Sequence, residues 1–164
     1  MFCKSLLLAV MLSVLAGAAT AQTFIGGSIE ISNAWARATP KGSQVGGAYM
    51  TITNKGTDDD RLIGGTSPVA GQLQVHQMSM DKGVMMMRPA PGGLEIKAGQ
   101  SVQFRPDSFH LMLFGLKQPL TQGERVRATL EFAKAGKIDV EYVVASIGAQ
   151  GPPAGMPGMP GMQH

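Results

Sequence analysis

From Ser28 onward the sequence is a succession of short runs in which apolar and polar residues alternate, each ended by turn residues such as glycine, proline or asparagine. Alternation with a period of two predicts β-strands, and many short strands separated by turns are typical of a sandwich or barrel. Helical patterns are scarce, so we predict an all-β fold. Residues 28–32 and 35–38 are expected to form one opening strand or a pair of strands. The other expected strands are 47–53, one beginning at 61–63, 72–80, 84–88, 94–96, 101–104, 110–116, 126–132 and 138–146.

The first 21 residues have the parts of a secretory signal peptide. Lys4 supplies positive charge, residues 6–15 form a short apolar run, and Ala19-Thr20-Ala21 matches an A-x-A cleavage site. The apolar run is shorter than the ~20 residues that a membrane-spanning helix needs. We therefore expect residues 1–21 to be removed, leaving a periplasmic protein without stable membrane insertion.

Cys3 is the only cysteine, and it precedes the apolar run, where it is badly placed for lipid attachment. We expect the mature chain to contain no thiol. Paired thiols in an oxidising compartment can form disulfides, whereas thioethers cannot and bind metal without losing a proton. The remaining charges nearly balance, and aromatic residues make up only 5% of the chain with no basic run among them, so we expect no nucleic-acid partner.

The segment 76–112 concentrates possible metal ligands. It holds two of the three histidines and six of the twelve methionines. Imidazole nitrogens and thioether sulfurs without cysteine favour a soft ion of low charge, which among biological metals is first of all Cu(I).

On a strand, residues two apart face the same side. His110 and Met112 therefore project together, while Met87 faces one side of its strand and Met86 the other. If the hairpin that contains His76 and Met87 lies beside the strand of His110, a shell of two nitrogens and two sulfurs can form around one ion. The predicted ligands are His76, Met87, His110 and Met112.

Several residues have a simpler interpretation as structure. Methionine usually fills gaps in a core, and we interpret Met50 and Met86 in this way. Trp35, the only tryptophan, is expected to anchor the core. Three adjacent aspartates at 58–60 lack the spaced oxygen ligands of a calcium loop, so we expect a solvated turn with Asp59 or Asp60 pairing Arg61.

The spacing of the predicted ligands resembles that of the periplasmic copper chaperone family PCu(A)C. Ten residues separate His76 from Met87, and twenty-two separate Met87 from the His110-x-Met112 pair. The likeness runs from about residue 31 to 144. Further stretches that carry it are 35–37, 48–54, 60–62, 83–89 and 110–113.

The resemblance implies a cupredoxin-like β-barrel, a Cu(I) site of two histidines and two methionines, and delivery of copper toward the binuclear centre of cytochrome c oxidase. The implied partner is subunit II of that oxidase or a thiol-bearing assembly factor. The sequence departs from the family pattern at Gln77, where methionine is frequent, and by one extra residue in the second gap. Gln77 should face away from His76, and the turn at 106–108 can hold the extra residue.

Other functions are open to the same residues. An electron-transfer cupredoxin depends on a cysteine thiolate, which the mature chain should lack. The sequence shows no arrangement of nucleophile, base and orienting group, so we expect no catalysis. A secreted interaction module, or a general copper buffer without a dedicated acceptor, remains an alternative.

Residues 148–164 differ abruptly in composition from the rest of the chain. Five glycines, four prolines and no charged side chain predict a disordered tail after a single domain at 22–147. Incidental methionines in a linker are one interpretation. Our preferred hypothesis is a second, weaker copper-recruiting element, which could also serve Cu(II), at Met156, Met159, Met162 and His164.

Overall fold

The computed structural model describes residues 22–153, so the predicted leader and residues 154–164 lie outside it. Every regular element in this range is a β-strand, which confirms the predicted all-β fold. Across 22–153 we find no helix with the length and apolar character needed to cross a membrane. The strands are β1 (Phe24–Gly26), β2 (Ile29–Arg37), β3 (Val45–Asn54), β4 (Asp60–Thr66), β5 (Gln72–Asp81), β6 (Val84–Pro89), β7 (Leu94–Ile96), β8 (Ser101–Gln103), β9 (Phe109–Phe114), β10 (Arg125–Phe132) and β11 (Gly136–Ala145).

Seven of these strands close into a barrel. Around the ring the order is β2, β11, β10, β4, β5, β9 and β3, and β3 pairs with β2 again. Neighbours are antiparallel except β2 and β11, which are parallel. The other four strands extend the ring, with β1 on β2, β6 on β5, β7 on β4 and β8 on β3. Alternate side chains of the barrel strands therefore face inward and form the apolar core.

The core contains two of the residues that the sequence analysis assigned to packing. Trp35 is buried, and its ring centroid lies 4.4 Å from that of Tyr49, which confirms it as a core anchor. Met50 is also buried, and the Tyr142 hydroxyl donates a hydrogen bond to its sulfur at 3.3 Å. Full burial of such a side chain contributes about 1.5–3 kcal/mol to the free energy of unfolding.

The start of the chain decides between two predicted alternatives and adds one short strand. The regions 28–32 and 35–38, expected to form one strand or a pair, belong to the single strand β2. Asn33 adopts a φ of 52° and shifts the pairing register between Ser32 and Trp35 without ending the strand. β1 was not predicted, because three residues are too few to show an alternating pattern.

At Asp60 the prediction of a solvated turn with an ion pair to Arg61 is wrong. Its carboxylate is buried and accepts three backbone N–H bonds, from Arg61 at 2.7 Å, Lys134 at 2.8 Å and Ala135 at 2.9 Å. The carboxylate therefore joins the start of β4 to the turn between β10 and β11.

The interpretation of Met86 as a core residue is also wrong, since its side chain is 40% exposed. β6 pairs with the outer half of β5, and all six of its residues are exposed. Alternation indicates which side chains share a face, but only the tertiary packing decides whether that face is covered.

Candidate metal centre

The two histidines of the described chain lie opposite each other on neighbouring strands. β5 pairs with β9 in a register that sets His76 against His110 and Gln74 against Met112. On β3, the next strand of the barrel, Gly47 stands opposite Met112. Because directly opposite residues in a sheet point to the same side, these residues share one face.

A tight hairpin between β5 and β6 brings further methionines to this face. The two turn residues, Lys82 and Gly83, have φ values of 47° and 82°. Positive φ at both central positions defines a type I′ turn, whose twist matches that of the paired strands. The turn therefore fixes the hairpin register. On the face of His76 this register sets two methionine pairs opposite each other: Met78 with Met87, and Met80 with Met85.

The His110 ring has one nitrogen held by the backbone and the other facing a sulfur. The Nδ1–H donates a hydrogen bond to the Ser108 carbonyl oxygen at 3.2 Å. A carbonyl oxygen can only accept, so Nδ1 carries the proton and Nε2 of the neutral ring has a free lone pair. That Nε2 lies 3.2 Å from the Sδ of Met87. Two electron-pair donors therefore face each other.

The His76 ring has the opposite tautomer. Its Nε2–H donates to the Gln74 Oε1 at 3.1 Å, which leaves the lone pair on Nδ1. This Nδ1 is buried, and within residues 22–153 it has no hydrogen-bond partner. Leaving such a group unpaired costs about 1–3 kcal/mol. An uncompensated nitrogen lone pair next to a second histidine is the arrangement expected of a metal ligand.

Both imidazoles are neutral at physiological pH. Burial lowers the pKa of His76, and the neighbouring His110 lowers it further. Burial also lowers the pKa of His110, an effect that the hydrogen bond to the Ser108 carbonyl partly offsets. A metal ion that binds near pH 7 therefore displaces no proton from either ring.

An open cavity of about 360 Å³ lies on the same face. Its described lining does not include His76, whose ring centroid lies 6.0 Å from that of His110. Gly47 also lines the cavity, and a Cβ atom there would clash with the Tyr49 hydroxyl at 2.7 Å. Four residues that line the cavity carry possible ligands: Met78, Met87, His110 and Met112. Together with His76 we call them the His–Met cluster.

The His–Met cluster offers neutral nitrogen and thioether donors. With metal–ligand bonds of about 2.0–2.3 Å, two ligands of a tetrahedral ion lie about 3.5 Å apart. The 3.2 Å separation between His110 Nε2 and Met87 Sδ is close to this value. The part of the chain that the structure describes contains no group of three or more His, Cys, Asp or Glu side chains placed to hold a metal ion.

The family of the chain follows from comparison with known proteins. The family model described as "Putative lipoprotein LpqE-like" matches residues 29–144. The chain belongs to the LpqE-like family. A relative named "Putative lipoprotein Lxx21020", from Leifsonia xyli subsp. xyli (strain CTCB07), is 34% identical over 105 residues, which are 64% of this chain and 62% of the relative. The matched stretches span less than two thirds of the curated relatives' own lengths.

Solved structures share the fold of this LpqE-like protein. The apo PCuAC domain of PmoF2 is 24% identical with a TM-score of 0.66 and covers 79% of this chain and 99% of that domain. Its copper-bound form is also 24% identical, with a TM-score of 0.65, and the match covers 76% of this chain and 98% of that domain. Apo-DR1885 from Deinococcus radiodurans is 26% identical, with a TM-score of 0.56, over 88% of this chain and 97% of its own. These comparisons confirm the predicted cupredoxin-like fold of PCu(A)C type.

Met78 is the member of the His–Met cluster that the sequence analysis did not select. The sequence places it on the face of His76, but only the register with β6 shows that it stands beside Met87. Gln74 and Ser108, which fix the two histidine tautomers, were also not foreseen. The predicted tail ligands lie outside the described residues: Met156, Met159, Met162 and His164.

Proposed function

We propose that this LpqE-like protein is a copper chaperone without catalytic activity, which holds Cu(I) in the His–Met cluster and passes it to an acceptor. The observation that carries the proposal is the 3.2 Å approach of the His110 Nε2 lone pair to the Met87 Sδ. With no proton between them, two electron-pair donors gain little from facing each other. An ion that accepts both lone pairs would be bound by both.

The ligands that we propose are His76, Met87, His110 and Met112, with Met78 close to them. Because all of these donors are neutral, the ligands do not balance the charge of the ion. Cu(I) tolerates such a shell of imidazole and thioether, whereas Zn(II) and Cu(II) bind better where carboxylates or thiolates are present. The cluster should therefore prefer Cu(I) as its cargo.

The copper-bound PCuAC domain of PmoF2, which has the same fold, supports copper as the cargo. As acceptor we propose the binuclear copper centre of cytochrome c oxidase, reached at subunit II or through a thiol-bearing assembly factor. Thiolates bind Cu(I) more strongly than neutral thioethers do, so transfer to such a partner is favourable. The predicted leader and the lipoprotein names in the family support a location outside the cytoplasm, in the periplasm.

We also propose that the tail is a second, weaker copper-recruiting element. The Arg37 side chain donates hydrogen bonds from Nε at 3.0 Å and from one terminal nitrogen at 2.6 Å to the Ala149 carbonyl oxygen. Arg37 and Ile147 line the same cavity as the His–Met cluster. The tail therefore begins beside the proposed site, where its ligands would be at an effective concentration of order millimolar. Deleting residues 151–164 should remove one weak copper equivalent and leave the tight one.

The test of the main proposal is competitive titration of the chain 22–164 with Cu(I) against a coloured chelator of known affinity, without oxygen. We expect one tight Cu(I) equivalent and much weaker binding of Cu(II) and Zn(II). X-ray absorption should detect both nitrogen and sulfur neighbours, and a shell of nitrogen and oxygen alone would contradict the ligand assignment. Incubation of the loaded protein with the soluble domain of subunit II then separates a chaperone, which transfers copper, from a buffer, which retains it.

A further inference from the structure

The methionines of the β5–β6 hairpin continue the His–Met cluster outward. The first pair, Met78 with Met87, lines the cavity next to His110. The second pair, Met80 with Met85, stands on the same face one step closer to the turn. Opposite residues in a sheet have Cβ atoms about 4.5–5.5 Å apart, and successive residues on one face are about 6.8 Å apart. Four thioethers therefore form two adjacent rows.

The outer row is exposed to solvent, although its side chains are apolar. Met80 is 65% exposed and Met85 is 47% exposed. Packing gives no reason for two methionines at these positions, because neither side chain is covered by the barrel core. Thioether sulfur, however, is the one soft ligand available here that needs no deprotonation.

The charges of the hairpin strands lie away from these rows. Asp81 and Arg88 alternate with the methionines and so project from the opposite face, where they form an ion pair at 3.1 Å. Lys82 occupies the turn itself. The methionine face therefore carries no carboxylate to attract hard divalent cations.

We infer that Met80 and Met85 form an outer Cu(I) docking site, from which the ion passes to the His–Met cluster. This inference rests on the proposed function. Cu(I) released by a donor would be caught by the two exposed sulfurs and would then exchange them one at a time for Met78 and Met87. Each step breaks one Cu–S bond and forms another, so the oxidation state stays +1 and no proton moves. The final step adds the imidazole nitrogens.

The kinetic test compares Cu(I) loading in the Met80→Leu/Met85→Leu double variant and in the wild type, both as the chain 22–164. Loading is followed as the loss of colour of a Cu(I)–bicinchoninate complex in a stopped-flow instrument. Because capture makes the second step intramolecular, the double variant should load about tenfold more slowly, with an unchanged equilibrium affinity for the tight equivalent. Met86→Leu is the matched control, since Met86 is exposed on the same hairpin but on its other face. An unchanged rate in the double variant, or equal slowing in the control, would overturn the inference.

A second measurement identifies directly the methionines that bind the ion. Ag(I) replaces Cu(I) as a diamagnetic probe, and the methionine methyl signals of the wild-type chain 22–164 are followed by NMR. The first equivalent should shift the signals of Met87 and Met112, and excess Ag(I) should then shift those of Met80 and Met85. The Met86 signal should stay in place. If Met87 and Met112 respond while Met80 and Met85 do not, the docking site is refuted and the proposed function stands. If Met87 and Met112 do not respond, the proposed function itself fails.

Discussion

Replacing Met87 by leucine should separate the proposed metal binding from packing. The substitution keeps a similar volume and removes only the sulfur, which lies 3.2 Å from His110 Nε2. Met86 provides the matched control, because it is the preceding residue of β6 and is 40% exposed where Met87 is 47% exposed. The two side chains lie on opposite faces of the strand. Any general effect of changing an exposed methionine to leucine on β6 should therefore appear equally in both variants.

The expected magnitudes differ widely. Volume-conserving substitutions usually cost less than about 1.5 kcal/mol even in a core, and the partial exposure of Met87 reduces that cost. Removing a group that merely orients a metal ligand lowers metal affinity by about 10- to 100-fold. Loss of the ligand atom itself should cost at least about 100-fold in Cu(I) affinity, or ~2.8 kcal/mol.

The assay is anaerobic Cu(I) competition at equilibrium, with urea unfolding of the apo-protein as the measure of fold stability. Met87→Leu should lose Cu(I) affinity with a nearly unchanged free energy of unfolding, and Met112→Leu should behave similarly. Met86→Leu should change neither quantity. Equal loss of affinity in Met86→Leu and Met87→Leu would show that the assignment of faces on β6 is wrong.

Three further predictions concern the surroundings of the site and the fold. Gln74→Leu should weaken Cu(I) binding by about 10- to 100-fold in the same competition assay, because the His76 ring loses the partner that fixes its tautomer. Acidification from pH 7.5 to 5 should lower the free energy of unfolding of the apo-protein, measured in urea, because His76 and His110 have lowered pKa values in the fold. In the unfolded chain both histidines take up protons at the ordinary pKa of about 6.5, whereas in the folded chain they do so only at lower pH. The free energy of unfolding therefore decreases as the pH falls through that value. Asp60→Ala should cost at least about 3 kcal/mol of unfolding free energy, since three backbone N–H groups lose their acceptor, whereas the exposed Asp58→Ala should cost little.

The strands could be predicted from the sequence because alternation is a local property. β7 has the predicted bounds, and most other strands differ from prediction by one to three residues at an end. The bulge at Asn33 shows the limit, since the sequence around it left open whether one strand continues or a second begins. The buried role of Asp60 depends on backbone N–H groups more than seventy residues away, and no local pattern indicates such a partner.

The candidate site could be predicted in part for the same reason. Spacing of two residues placed His110 with Met112 on one face of their strand. The pairing of β5 with β9 sets His76 against His110. This long-range contact had to be assumed in the prediction, because no local pattern indicates it. Met78 was missed because its selection depends on the register of β5 with β6.

If the His–Met cluster binds copper as proposed, the difference in burial among its residues determines from which side the ion is exchanged. His76 and His110 are only 5% and 4% exposed, and each ring is held by a hydrogen bond from its second nitrogen. Met87 lies on the outer strand β6, where its flexible side chain can move without disturbing the barrel. A ligand from a partner would therefore reach the ion from the β6 side and replace a thioether first. The bonds to the imidazole nitrogens would break last, so release would require no strand to separate from its neighbour.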